Sequence, residues 1–267
     1  MKVICGKKAL VTGAASGVGR SIALALARDG ADLFLLDIDE ENLASVVEEA
    51  RNLGVEVIGR RCDVADADQI TESVNALMKA WGRLEILVNN AGILYYGKTE
   101  KMTDEQWDRL LAVNLRAPIR FIRQLLPLLR DQPEAHILNV CSLAGLVPKR
   151  KMAAYQTSKF ALVGLSESLR AEYSPGGLGV TALCPGLVDT NLVDAARERN
   201  WLTSKLNPPA FMRALPDLVA ARAVKTIRRN QGLVVITPYA RFLWFLHRLS
   251  PRILDTWYHL RDQRKNR

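Results

Sequence analysis

Tyr155 and Lys159 lie four residues apart in the stretch Tyr155-Gln156-Thr157-Ser158-Lys159. The run Met152 to Tyr173 predicts a helix, and on a helix positions i and i+4 share one face, so a phenol and an ammonium can meet at one site. A free phenol has a pKa of ~10 and hardly ionises at neutral pH. A cation held beside it favours the phenolate and lowers that value. The expected result is a proton donor and acceptor suited to reversible transfer near neutral pH.

Such a pair needs something to react with, and the first forty residues offer it. Lys8 to Val11 is a short apolar strand running into Thr12-Gly13-Ala14-Ala15-Ser16-Gly17-Val18-Gly19. A helical pattern (Ile22, Leu24, Ala25, Leu26) follows and stops at Asp29-Gly30. Strand, glycine turn and helix in that order form a dinucleotide cradle, because the glycines allow close backbone approach and the helix start offers free N–H groups to a pyrophosphate. A second strand, Asp32 to Leu36, ends at Asp37, eighteen residues beyond Gly19. A carboxylate there accepts hydrogen bonds from the adenosine ribose hydroxyls. It repels the 2′-phosphate of NADP, and Ile38-Asp39 and Ser16 provide no nearby cation. NAD is therefore the expected cofactor, with NADP the alternative.

The alternation of strands and helices continues. Helices are expected at Glu40–Leu53, Asp66–Trp81 (with Asp66 as cap) and Asp104–Leu129, the last carrying Asn114. Strands are expected at Val55–Arg60, Leu84–Val88, Ala135–Cys141, Leu178–Leu183 and Leu233–Ile236. Their apolar, unalternating character predicts a parallel sheet buried on both faces. The reading is one Rossmann-type, doubly wound α/β domain over residues 1–237, with about seven parallel strands, and a C-terminal extension over 238–267. Ligands of such sheets bind beyond the carboxyl ends of the strands. The glycine turn, Asp37, Asp63, Asn89, Ser142 and Gly186 all fall at those ends.

Together these residues resemble the short-chain dehydrogenase/reductase family, in its branch with a Thr-Gly-x-x-x-Gly-x-Gly turn. The likeness runs from about Gly6 to Thr190. It implies four catalytic residues, Asn114, Ser142, Tyr155 and Lys159, with a Ser–Tyr spacing of thirteen. It further implies a cofactor site built from Gly13, Ala15, Ser16, Gly17, Val18 and Gly19, with Asp37 and Ile38 at the ribose. Asp63 and Val64 would meet the adenine, Asn90-Ala91-Gly92 would line the cleft, and Pro185, Gly186, Val188 and Thr190 would meet the carboxamide. Tyr155 and Lys159 also belong to that site. The implied reaction is hydride transfer between nicotinamide and a carbinol or carbonyl carbon. Tyr155 would move the proton, Lys159 would lower its pKa and hold the nicotinamide ribose, Ser142 would bond the substrate oxygen, and Asn114 would hold a water linking Lys159 to solvent.

Three segments are expected around the nicotinamide: 93–96 with Leu94 and Tyr95, 143–152 with Leu143 and Met152, and a lid at about 187–215 with Leu192, Val193, Trp201, Leu202, Leu206, Phe211 and Met212. Their apolar character suits a small lipophilic alcohol or ketone, or else packs on the protein's own core. Lys149-Arg150-Lys151 points to a second reading, a 3-ketoacyl-type reductase acting on carrier-bound chains. A third is a dinucleotide-binding sensor or scaffold without turnover.

The 267 residues carry a net charge of +9. From Pro238 onward six Arg and one Lys face two Asp, so a net +5 sits in the last thirty residues. The body is only mildly basic, which argues against a nucleic-acid surface. In the extension Phe242, Phe245, Leu246 and Leu249 share a helical face, with Arg241, Trp244 and Arg248 on another, and Ile253, Trp257 and Leu260 repeat the pattern. Such a segment can lie at a bilayer interface, pack over the cleft, or join a homodimer or homotetramer built on the 104–129 and 152–173 helices. Cys5, Cys62, Cys141 and Cys184 read as buried side chains of a reducing compartment. The three histidines have no metal-ligand spacing, so no metal is expected. No signal-like leader or ~18-residue apolar span is present, so the chain reads as soluble and cytoplasmic.

Overall fold

Short apolar runs that cannot satisfy water on either face are driven into the middle of a sheet, and seven of them do so here. In a computed structural model describing residues 1–189, 192–203 and 213–252, the chain begins with β1 (Lys8–Thr12), α1 (Gly17–Arg28), β2 (Asp32–Asp37), α2 (Glu40–Arg51) and β3 (Val57–Arg61). It continues through α3 (Ala67–Trp81), β4 (Ile86–Asn89), α4 (Asp104–Leu111), α5 (Ala117–Arg130), β5 (Ala135–Val140), α6 (Ala153–Tyr173) and β6 (Leu178–Cys184). After a short parallel pair, β7 (Leu187–Val188) and β8 (Arg213–Ala214), which frames α7 (Leu192–Glu198), come α8 (Pro216–Arg229), β9 (Leu233–Val235) and α9 (Pro238–Leu249). The seven-stranded sheet is parallel throughout, in the order β3-β2-β1-β4-β5-β6-β9.

That order reverses at β1. The chain moves outward through β2 and β3, then returns to place β4 on the other side of β1, which opens a crevice above the β1 and β4 ends. One apolar core fills the space between the sheet and α1, α2 and α8. A second, with Phe34, Leu77, Phe121 and Leu125, lies under α3 and α5. A smaller cluster of Leu94, Tyr95, Leu110, Met152 and Tyr155 sits over the strand ends.

The expected single helix over 104–129 is broken. Pro118 has no N–H to donate to the carbonyl of Asn114, so the ladder widens by one residue: the N–H of Ala117 donates to the carbonyl of Ala112, giving a π-helical turn over Ala112–Arg116. That turn holds Asn114. Asp66 caps α3, accepting from the N–H groups of Asp68 and Gln69. Helix α8 had no counterpart in the sequence reading. Of the lid residues, Leu206, Phe211 and Met212 lie outside the described residues, as do Ile253, Trp257 and Leu260. Cys5 is exposed rather than buried; the other three cysteines are buried. No helix among the described residues is long and apolar enough to cross a membrane.

Candidate active site

The glycine turn joins β1 to α1 at the crevice. Gly13 has φ 66° and Gly17 φ 53°, conformations that glycine adopts without penalty. A Cβ on Gly19 would lie 1.9 Å from the carbonyl oxygen of Gly13, so the turn closes only on a bare backbone. Ser16 stands at the start of α1 but makes no capping hydrogen bond with its side chain, leaving the first N–H groups without that partner. Asp37, at the end of β2, accepts from the N–H of Ala15 at 2.8 Å and of Asp39 at 3.1 Å. Its carboxylate is thereby tied to the turn.

Across the crevice Thr12 and Asn90 lock β1 to the end of β4. Asn90 donates through Nδ2 to the carbonyls of Thr12 and Gly13, both at 3.0 Å, while the Thr12 hydroxyl accepts from the N–H of Asn90 and Ala91. Deeper in, Asn89 donates to Asn139 and Asn139 to Ser166, a buried chain linking β4, β5 and α6.

Asn114 is fully buried. Its Oδ1 accepts from the N–H of Ile93 at 2.8 Å, and its Nδ2 donates to the Ile93 carbonyl at 2.9 Å and to Ser158 Oγ at 3.2 Å. It therefore staples the segment after β4 to α6. Both amide protons are used within the protein, so it offers a water only acceptors.

Ser142 follows β5 and opens the short helical turn Leu143–Gly145, whose Ala144 N–H it caps. Gly145 lets that turn press on α6: a Cβ there would lie 2.6 Å from the Lys159 carbonyl oxygen. Ser142 and Tyr155 line the same cleft wall. Lys159 donates from Nζ to the Val140 carbonyl at 2.9 Å, with Nζ 5.8 Å from the centre of the Tyr155 ring.

The expected depression of the tyrosine pKa is absent. Burial pushes the Tyr155 hydroxyl up to about 12, opposed by the neighbouring Ser142 side chain. Lys159, equally enclosed, is pushed below the ordinary lysine value by burial and contributes no counter-effect at Tyr155. Each group is held towards its neutral form.

One cleft of about 340 Å³ joins these groups. Gly13, Ser16, Gly17, Val18, Asp37, Ile38, Asp63, Val64, Asn90, Ala91, Gly92, Ser142, Tyr155, Lys159, Pro185, Gly186 and Val188 line it, as do Leu94, Met152 and Leu192 among the expected substrate contacts. Ala15 and Gly19 form the turn behind the wall. Tyr95, Leu143 and Trp201 do not line it; Tyr95 and Trp201 pack ring against ring, centroids 6.4 Å apart, and Leu143 joins the cluster under Cys141. Thr190 lies outside the described residues. A separate open recess between α1 and α8 shares no lining residue with this cleft.

Three lining residues, Arg109, Arg199 and Cys141, carry chemistry the sequence reading had not placed there, beside Lys149 of the expected 143–152 segment. Arg109 pairs with Asp63 at 2.8 Å, 46 residues away. Arg199 follows α7. Lys149 has its pKa pushed down by the burial of its ammonium, though the residue as a whole stays accessible. Cys141 and Cys184 follow the paired residues Val140 and Leu183 on neighbouring strands; Cys184 donates to the Ala182 carbonyl at 3.9 Å, and the neighbouring Cys141 thiol together with burial holds it well above the usual thiol range. No group of three or more His, Cys, Asp or Glu side chains among the described residues could hold a metal ion.

Comparison with known proteins places this geometry. A family model, short chain dehydrogenase, matches residues 7–201. The chain is 34% identical over 262 residues to the probable oxidoreductase EphD of Mycobacterium tuberculosis, covering 94% of this chain but only 44% of that relative, so it spans less than half of that protein's length. It is 33% identical over 215 residues to the 3-oxoacyl-[acyl-carrier-protein] reductase FabG of Thermotoga maritima, covering 80% of this chain and 87% of FabG. The crystal structure of a short chain dehydrogenase/reductase from Burkholderia phymatum in complex with NAD superposes with a TM-score of 0.85 at 30% identity, covering 95% of this chain and 97% of that one.

Proposed function

As the chain belongs to the short-chain dehydrogenase family, we propose that it transfers a hydride between NAD and a small lipophilic alcohol or ketone. The observation that carries this reading is the meeting of Ser142, Tyr155 and Lys159 in the wall of one cleft with the glycine turn. A bound nicotinamide supplies the hydride acceptor or donor. The glycine turn and the start of α1 suit its pyrophosphate, and the cleft closes on them only without a Cβ at Gly13 or Gly19. Asp37 favours NAD over NADP, since a carboxylate already fixed to the turn accepts from a ribose hydroxyl and repels a phosphate.

Tyr155 exchanges a proton with the substrate oxygen. In reduction a neutral phenol is the required donor, which is the form burial selects. Ser142 donates to the same oxygen as charge develops there. Lys159 anchors the tyrosine's helix to β5 and presents its remaining N–H groups to the cofactor ribose. Asn114 holds the wall in place and accepts from a water leading to Lys159.

Leu94, Met152, Leu187, Leu192 and Val193 give the substrate end an apolar lining, which supports a lipophilic alcohol or ketone. Lys149 and Arg199 line the same cleft and favour, as a second reading, a 3-ketoacyl-type reductase taking an anionic or carrier-bound chain. A dimer or tetramer is supported by α6, whose outer face exposes Phe160 (43%) beside Gly164.

The test is a screen of aliphatic, isoprenoid and steroid-like alcohols and ketones against both nicotinamides, with an acyl thioester as comparison. NAD(H)-dependent turnover of the lipophilic ketones or alcohols is expected. Turnover confined to the thioester with NADPH would favour the second reading, and NADH binding with no turnover of any compound would leave a sensor.

A further inference from the structure

Helix α9 carries an apolar face that none of the described residues covers. Tyr239, Phe242, Phe245 and Leu249 are 40%, 59%, 58% and 63% exposed. At roughly 100° per residue their positions fall within about one-third of the helix circumference. The opposite side fastens the helix to the protein. Ala240 is fully buried, and Trp244 packs against the buried cluster that includes Cys141, Cys184 and Val235. Thr237 caps the helix by accepting from the Ala240 N–H at 3.2 Å, and a Cβ on Gly186 would lie 2.6 Å from Thr237 Oγ1 and 3.4 Å from the Ala240 Cβ. The exposed rings thus belong to a helix seated directly on the cleft wall, not to a loose end.

Charge borders that face. Arg241 and Arg248 lie between it and the seated side, Arg241 donating from Nε to the Val235 carbonyl at 2.8 Å and Arg248 stacking on Trp244 at 5.2 Å. α9 has no acidic residue, and the sequence from Pro238 onward holds seven cationic side chains against two Asp. We propose that this face lies on an anionic lipid surface, with the rings among the headgroups and the arginines on lipid phosphates.

A second copy of the chain fits less well. A twelve-residue helix presents a strip roughly 18 Å by 10 Å, on the order of 200 Å², against about 800 Å² per partner in a stable interface. A symmetric contact through it would also set arginines against arginines. Lipid takes a narrow strip without penalty and supplies the opposite charge. This surface binding is independent of the reaction catalysed.

The experiment is co-sedimentation of the full chain with vesicles of phosphatidylcholine alone and of phosphatidylcholine mixed with phosphatidylglycerol. The chain is expected to bind the mixed vesicles about tenfold more strongly, and less so as salt rises. Phe242→Ser with Phe245→Ser should weaken that binding by about tenfold or more. Arg248→Gln should weaken it about fivefold on mixed vesicles alone. NADH binding and solution mass should stay unchanged in both variants. The proposal is overturned by a full chain that binds neither vesicle, or by Phe242→Ser/Phe245→Ser binding as the parent does. A fall in solution mass for that variant would give the face to a second copy and overturn it equally.

Discussion

Lys159 sits where burial opposes its own charge, and Asn114 shows what keeps such a residue in place. Removing the Asn114 side chain would leave the half-buried N–H and carbonyl of Ile93 without that partner and take a donor from Ser158. Asn114→Ala is expected to lose about 1–3 kcal/mol of stability, seen as a lower midpoint in denaturant unfolding, along with activity. A catalytic-only role would lower turnover and leave the midpoint alone. Tyr155 and Lys159 were legible in the sequence because one helical turn joins them. Ser142 and Asp37 were legible because strand ends put them at the crevice. Arg109, Arg199 and the Asn139–Ser166 link were not, since no local periodicity connects Arg109 to Asp63 or β5 to α6. The tyrosine pKa was misjudged for a related reason: burial is a property of the packed surroundings, and it outweighs a cation whose Nζ points to the Val140 carbonyl.

Elements set the distances between these residues, and the tightest setting is the one between the Leu143–Gly145 turn and α6. A Cβ at Gly145 would meet the backbone of Lys159 at 2.6 and 2.8 Å, so Gly145→Ala must push the turn, and Ser142 with it, off the helix. Turnover should fall about 100-fold for a displacement near 1 Å. NADH affinity, which depends on the other wall of the cleft, should change little in a fluorescence titration. Seven strands and their order of appearance could be read from apolar runs between helical patterns. The break at Ala112–Arg116 could have been read too, since Pro118 cannot donate to Asn114. α8 went unread because Pro216–Arg229 follows a long connection without a clear strand ahead of it. Asp66 was recognisable as a cap from residue type alone.

At the scale of the whole molecule, folding is linked to pH through His136, in the buried middle of the sheet. Its Nε2 lies 2.8 Å from Thr181 Oγ1, which itself donates to the Gln231 carbonyl, so Nε2 is the donor to Thr181. Burial pushes its pKa down to about 3. Below an unfolded value near 6.5, the unfolded chain takes up a proton that the fold refuses, so stability falls as pH drops from about 6.5 towards 3, by up to ~1.4 kcal/mol per pH unit. Melting temperature should therefore drop more steeply between pH 7 and 5 in the parent than in His136→Gln; equal slopes would remove this linkage. The measurement that bears most directly on the account is Tyr155→Phe, which deletes one hydroxyl and keeps the ring. NADH titration should be unchanged, while NAD(H)-dependent turnover of any ketone or alcohol the parent accepts should fall about 1,000-fold or more. Turnover within a few-fold of the parent would contradict it.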